Sequence, residues 1–132
     1  MEVVTDTSSI IAVILNEPTK PALIELTQGA NFIAPYSIPW EIGNALSAMF
    51  KRKRITLEQA KAALQLYQKI PITFVDIELD SAVEIAKQLN IYAYDAYLIT
   101  CALQRHAPLI SLDKGLIQAA KLLNITVLEI KQ

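Results

Sequence analysis

The chain has 132 residues, 53% of them hydrophobic, and a net charge of −1. That length suits one domain, able to bury roughly two-thirds of the surface its unfolded chain would expose. Three glycines and six prolines argue against disorder, and the near-neutral charge gives no general support for nucleic-acid binding.

The apolar excess points to strands buried on both faces, or to an oligomer interface. Any hold on a polyanion has to come from a local patch or a bound metal. The longest unbroken apolar run, Ile10–Leu15, is far short of the ~20 residues that a bilayer needs, so no membrane association is expected. The opening Met-Glu-Val-Val-Thr-Asp lacks the basic and long apolar regions of a signal peptide. The single cysteine, Cys101, can form no internal disulfide, and a reducing cytoplasm is the simpler expectation.

Val3–Val4 reads as a short strand, followed by Asp6 and a helix through the apolar run Ile10–Leu15. A second helix is expected over Lys20–Thr27, with Pro18 and Pro21 near its start, where proline is tolerated. Asn31–Ala34 is a strand ended by Pro35. A longer helix runs from about Ile38 to Arg52, with Ile42, Ala45, Leu46 and Met49 at spacings of three and four. Thr56 and Gln59 form a capping box for the next helix, whose expected apolar stripe is Leu57, Ala60, Leu64 and Tyr67. Pro71 stops that helix, and Ile72–Val75 is a third strand. Asp80–Leu89 is helical, with Ala82, Ile85, Ala86 and Leu89 facing inward. Asp95 opens a helix through Gln104. Leu109–Leu112, Lys114–Leu123 and Thr126–Ile130 read as strand, helix and strand. This alternation predicts an α/β fold in three layers, with helices on both faces of a mostly parallel sheet of about five strands.

In open α/β sheets, ligands bind beyond the carboxyl ends of the strands. Asp6 and Asp113 follow the first and fourth strands. Glu41 lies in the first turns of the helix after the second strand, and Asp95 heads a helix. Each acid alone is explained more simply by helix capping or by the helix dipole. Together they pose an electrostatic problem: each like-charge pair at ~4 Å costs on the order of 4 kcal/mol at an effective dielectric of 20. Divalent cations relieve that cost, and oxygen-only ligands suit Mg²⁺ or Mn²⁺ rather than zinc. Such ions activate water and stabilise the oxygens of a phosphodiester under attack.

These acids sit in four short motifs. Val-Val-Thr-Asp-Thr-Ser-Ser-Ile-Ile at 3–11 carries Asp6 and Ser8. Pro39-Trp-Glu-Ile-Gly-Asn-Ala-Leu carries Glu41 and Asn44. Tyr94-Asp-Ala-Tyr-Leu-Ile-Thr-Cys-Ala carries Asp95. Leu109-Ile-Ser-Leu-Asp-Lys-Gly-Leu carries Ser111 and Asp113. In order and spacing, over almost the whole chain, they resemble the four motifs of PIN-domain ribonucleases, and most of all the VapC-like toxins of toxin–antitoxin pairs. The resemblance implies one PIN-like nuclease domain over residues 1–132. It implies a cytoplasmic, usually dimeric RNA endonuclease silenced by a cognate antitoxin. Asp6, Glu41, Asp95 and Asp113 would hold one or two Mg²⁺ or Mn²⁺ ions, with Asp6 and Asp95 as direct ligands and Glu41 and Asp113 acting partly through water. Ser8, Asn44 and Ser111 would orient carboxylates or water, and cleavage would leave 5′-phosphate and 3′-hydroxyl ends.

Lys51, Arg52, Lys53 and Arg54 are candidate RNA-phosphate contacts, equally readable as a solvated helix end; Lys114 is a weaker candidate. Trp40 and the group Tyr92, Tyr94 and Tyr97 are able to stack on bases, although core or interface packing is the commoner role. Cys101 reads as a small buried hydrophobe, and His106, the only histidine, as a helix C-terminal residue. Two rival readings remain. A receiver-type phospho-acceptor domain would use Asp76 with Ser111, but only one acid follows the first strand, and Lys131 stands at the chain's end rather than just past a strand. A catalytically silent PIN-like binding module would have no need of four mutually repelling acids.

Overall fold

The computed structural model describes residues 1–130; Lys131 lies outside them. Five strands alternate with seven helices: β1 (Glu2–Thr5), α1 (Thr7–Ile14), α2 (Lys20–Leu26), β2 (Asn31–Pro35), α3 (Ile38–Lys51), α4 (Leu57–Gln68), β3 (Ile72–Val75), α5 (Leu79–Leu89), α6 (Ala93–Arg105), β4 (Leu109–Ile110), α7 (Lys114–Leu122) and β5 (Val127–Leu128). The strands form one wholly parallel sheet in the order β3-β2-β1-β4-β5.

Side chains on successive strand residues point to opposite faces, so a sheet covered on both sides needs apolar residues in unbroken runs. Val3 and Val4, Phe32 and Ile33, and Leu109 and Ile110 divide in this way. Val4, Ile33 and Leu109 enter the larger core with Ile38, Ile42, Ile99 and Leu116. Val3, Phe32 and Ile110 enter a smaller one with Ala12 and Leu23. Among the described residues, no helix is long and apolar enough to cross a membrane.

Several boundaries differ from the sequence expectation, each for a local reason. β4 stops at Ile110, and just beyond it two backbone amides turn from the ladder to side-chain oxygens. Leu112 N donates to Ser8 Oγ and Asp113 N to Ser111 Oγ, both at 2.9 Å. β5 pairs only with β4 and is shortened with it. α1 begins at Thr7, earlier than its apolar run, because Asp6 caps it by accepting from Ser9 N. α6 begins at Ala93 with Tyr92 at the cap, so Asp95 is a first-turn acid and not the N-cap. The start is set instead by burial of Ala96, Ile99 and Thr100 and by the bond from Ala96 N to Tyr92 O. The capping box of Thr56 and Gln59 is formed as expected. On α4 the buried positions are Ala60 and Ala63, whereas Leu57 and Leu64 face outward. Two alanines let α4 come close to its neighbours, α1 and α3. Cys101 is fully buried, and burial pushes its thiol up to about 11. His106 caps the C-terminus of α6 in the left-handed conformation.

The strand order also bears on the receiver-type rival, whose sheet runs 2-1-3-4-5 with β3 inside. Here β3 is an edge strand. Asp76 beyond it is exposed, and its backbone carbonyl accepts from Gln104 Nε2.

Candidate active site

The strand order reverses between β1 and β4, and a sheet opens a crevice at the carboxyl ends of such a pair. Asp6 stands there, one residue past β1, and Ser111 stands one residue past β4. Both are buried. Ser111 Oγ donates to Asp6 Oδ2 at 2.5 Å, joining residues 105 positions apart. Ser8 Oγ lies 2.9 and 2.8 Å from Asp6 Oδ1 and Oδ2 and shares one proton between them. Ser9 N donates to Oδ1 at 3.0 Å. Each serine hydroxyl in turn accepts a backbone amide, Leu112 N on Ser8 and Asp113 N on Ser111. Amide, hydroxyl and carboxylate thus form two aligned chains of the kind that polarise and strengthen each other. Both oxygens of the Asp6 carboxylate are thus engaged, Oδ1 by Ser8 and Ser9 N and Oδ2 by Ser8 and Ser111.

Burial pushes Asp6 above the ordinary carboxylate range, against the opposing pull of the bonds from Ser111, Ser9 and Ser8. Glu41 lies in the first turn of α3. Its Oε2 accepts from Ser37 at 2.7 Å and its Oε1 from Thr7 at 3.3 Å. Burial raises it, and the negative charges of Asp6 and Asp95 add to the shift. Asp95, half-buried in the first turn of α6, is raised by burial and then by Asp113 and Asp6. Asp113 caps α7, with Oδ1 accepting from Gly115 N and Leu116 N at 2.9 and 3.2 Å.

The four acids therefore share one electrostatic neighbourhood, with Asp95 as the link between Asp113 and the other two. Among the described residues, no Lys or Arg contributes to the shifts of Asp6, Glu41 or Asp95. Nor do any three His, Cys, Asp or Glu side chains stand close enough to ligate one ion directly. The two observations measure different ranges, since charges act on each other well beyond ligand distance. What they describe is an uncompensated all-oxygen cluster, open by more than a bare ion's coordination sphere. It fits Mg²⁺ or Mn²⁺ arriving with part of its water shell, and it does not fit a dehydrated ion in a tight cage.

Other expected site residues fall less centrally. Asn44 is exposed and makes no hydrogen bond to Glu41; Ser37 and Thr7 do that instead. Ser37 precedes Glu41 by one helical turn, a spacing visible in the sequence, while Thr7 is brought in only by the fold. Lys51, Arg52, Lys53 and Arg54 are exposed at the far end of α3. Arg52 is eleven residues from Glu41, about 16 Å at 1.5 Å per residue. Lys114 is exposed beside Asp113. A cavity of about 270 Å³ also touches Thr5 and Ser9, but Val13, Leu23, Ile24, Phe32 and Ile110 make it almost wholly apolar, with no group for acid–base or metal chemistry.

A family model described as PIN domain matches residues 3–122. A comparison with curated proteins finds no match. Among solved structures, the chain superposes on PAE2754 from Pyrobaculum aerophilum with a TM-score of 0.72 at 17% identity, covering 97% of this chain and 84% of that one. VapBC2 from Rickettsia felis, bound to a DNA fragment from its promoter, gives 0.69 at 16%, covering 96% and 97%. VapC20 from Mycobacterium tuberculosis, described as a Sarcin-Ricin loop cleaving toxin, gives 0.63 at 12%, covering 89% and 94%. At these identities the structural likeness speaks for the fold alone, whereas the family model spans the chain from β1 to the last residue of α7, taking in all four acids. With that match laid over an acidic crevice at the switch point of a parallel sheet, the chain belongs to the PIN-domain family.

Proposed function

We propose that this protein is a Mg²⁺- or Mn²⁺-dependent RNA endonuclease and the VapC-like toxin of a toxin–antitoxin pair, built as one PIN-like nuclease domain. One observation carries the reading. A buried, hydroxyl-pinned Asp6 at the sheet's switch point shares its field with Glu41 and Asp95, and through Asp95 with Asp113, without a compensating cation among the described residues. Keeping such a cluster costs stability, and a divalent ion offsets that cost.

Asp6, Glu41, Asp95 and Asp113 would hold the ion, which when bound polarises a phosphodiester and activates water. In this reading Asp6, at the switch point, and Asp95, whose carboxylate bears no hydrogen bond among the described residues, are the direct ligands. Glu41, which accepts from Thr7 and Ser37, and Asp113, whose Oδ1 caps α7, would act partly through water. Ser8 and Ser111 hold the Asp6 carboxylate in one orientation while the substrate moves past.

RNA as the substrate follows from the family resemblance and agrees with the Sarcin-Ricin loop cleaving neighbour. A protein partner is supported by the VapBC2 neighbour and by this chain's own surface, where Leu57 and Leu64 are 52% and 37% exposed on the outer side of α4. A cognate antitoxin and a second copy of the chain would cover such surface in the cytoplasm. The test is cleavage of RNA by purified protein with Mn²⁺ in excess of any chelator. Wild type should cleave and Asp6→Asn should not. Equal activity of the two removes Asp6 from the mechanism, and RNA binding by wild type without cleavage returns the chain to the silent-module reading.

A further inference from the structure

Beside the acidic crevice, α3 and α6 enclose a second cavity of about 230 Å³, lined by Thr7, Trp40, Glu41, Asn44, Ala45 and Tyr94. Trp40 is 78% exposed and Tyr94 55%, so neither ring serves the core. A large aromatic side chain left in water forgoes a burial that would stabilise the fold. Two of them facing one cavity whose floor holds a proposed metal-binding acid call for an occupant. Tyr94 is held by an edge-on contact with the half-buried Tyr97, with centroids 5.8 Å apart and planes at 86°. Its ring is therefore oriented before anything binds. Trp40 and Asn44 are four residues apart on α3 and share a stripe; Glu41 and Ala45 form the adjacent one.

Resting on the nuclease reading above, we propose that this cavity is a slot for one unstacked nucleobase of single-stranded RNA, next to the scissile phosphate. Trp40 and Tyr94 supply the stacking faces, and the exposed amide of Asn44, a donor and acceptor together, meets the edge of the base. Single-stranded RNA is recognised in this way, by splaying a base onto aromatic rings and reading its edge with polar side chains. Continuity with Glu41 is what favours RNA over a protein as the occupant, because a base seated here places its own phosphate toward the carboxylates.

Trp40 is the only tryptophan in the chain, so its fluorescence reports on this slot alone. The experiment uses the Asp6→Asn protein with Mg²⁺ and a short unstructured RNA, titrated by Trp40 emission and by anisotropy of a labelled RNA end. Expected are quenching on binding, and a loss of affinity of about fivefold to 100-fold for Trp40→Ala and for Tyr94→Ala. Trp40→Phe should keep most of the affinity. A set of RNAs with one abasic position each should contain one member that binds weakly and does not quench, and Trp40→Ala should no longer distinguish that member from the rest. Unchanged affinity in both alanine variants overturns the slot. If wild type still cleaves RNA, the nuclease reading survives that result. Emission that shifts with protein concentration alone, before any RNA is added, also overturns it and assigns the surface to a second copy of the chain.

Discussion

Removing the Ser111 hydroxyl tests the pinning of Asp6 most closely. Ser111→Ala deletes the 2.5 Å bond to Asp6 Oδ2 and orphans Asp113 N, which loses its acceptor. A hydrogen bond to a charged group contributes about 1.5–3 kcal/mol, and a neutral one about 1 kcal/mol. Asp6 keeps Ser8 and Ser9 N, and the part-buried Asp113 N can be partly satisfied by water, so the expected loss is about 2–3 kcal/mol. That lowers the ratio of folded to unfolded protein by roughly 30-fold to 150-fold. The loss depends on pH in a definite direction. The deleted bond favours ionised Asp6, so the variant's carboxyl titrates still higher than the raised wild-type group. The gap between the two proteins should be widest where Asp6 is ionised and close as pH falls through its folded pKa. Urea unfolding of the metal-free proteins at several pH values measures it. A loss below about 0.5 kcal/mol, or a gap that widens on acidification, refutes the pinned-carboxylate account.

Four further outcomes follow from particular contacts. The folded-state pKa values of Asp6, Glu41 and Asp95 are all raised, so the stability these groups give is present below about pH 4 and is lost as pH rises through the folded values. Metal-free wild type should therefore fall behind Asp95→Asn in urea midpoint over that rise, and Mg²⁺ at 100 times its Kd should return about 2.7 kcal/mol to wild type. Gly43 lies exposed inside α3, where an added Cβ meets nothing within 4 Å, so Gly43→Ala should stabilise by about 0.5–1 kcal/mol in the same assay. Thr56→Ala breaks the capping box of α4 and should cost about 1 kcal/mol. Neutralising Lys51, Arg52, Lys53 and Arg54 together should flatten the salt dependence of RNA binding by roughly 0.7 in log–log slope per phosphate contacted; an unchanged slope makes them a solvated helix end.

Much of the architecture is legible in the sequence because the strands are apolar on both faces and the helices carry spaced stripes. Val3–Val4, Phe32–Ile33 and Leu109–Ile110 could hardly be exposed. The boundaries that differ lie where side chains replace backbone partners. Nothing in Leu109-Ile-Ser-Leu announces that Ser8 Oγ, 104 residues away, takes the amide of Leu112. Spacing puts Asp95 at a helix start, but burial of Ala96 and Ile99 moves that start back to Ala93. In the site, the succession of strands and helices puts Asp6 and Asp113 past strand ends, whereas the nearness of Glu41 and Asp95 to them comes from the folded packing. The hydroxyls that hold Glu41 are harder to see. Ser37 has only its position one turn earlier to mark it, and Thr7 is brought in by the packing of α1 against α3. The bulky Leu57 and Leu64 belong inside by hydropathy, yet the fold buries the smaller Ala60 and Ala63 and leaves the leucines outward.

Direct observation of an ion in the acidic crevice decides whether the four acids act together. Mn²⁺ titrated into wild type and Asp95→Asn, with the free ion counted by electron paramagnetic resonance, should show saturable binding to wild type and a loss of at least tenfold in affinity for the variant, since Asp95 joins Asp113 to Asp6 and Glu41. Free Mn²⁺ that tracks the added Mn²⁺ in wild type, or binding that Asp95→Asn leaves intact, would contradict a cation shared by these four side chains.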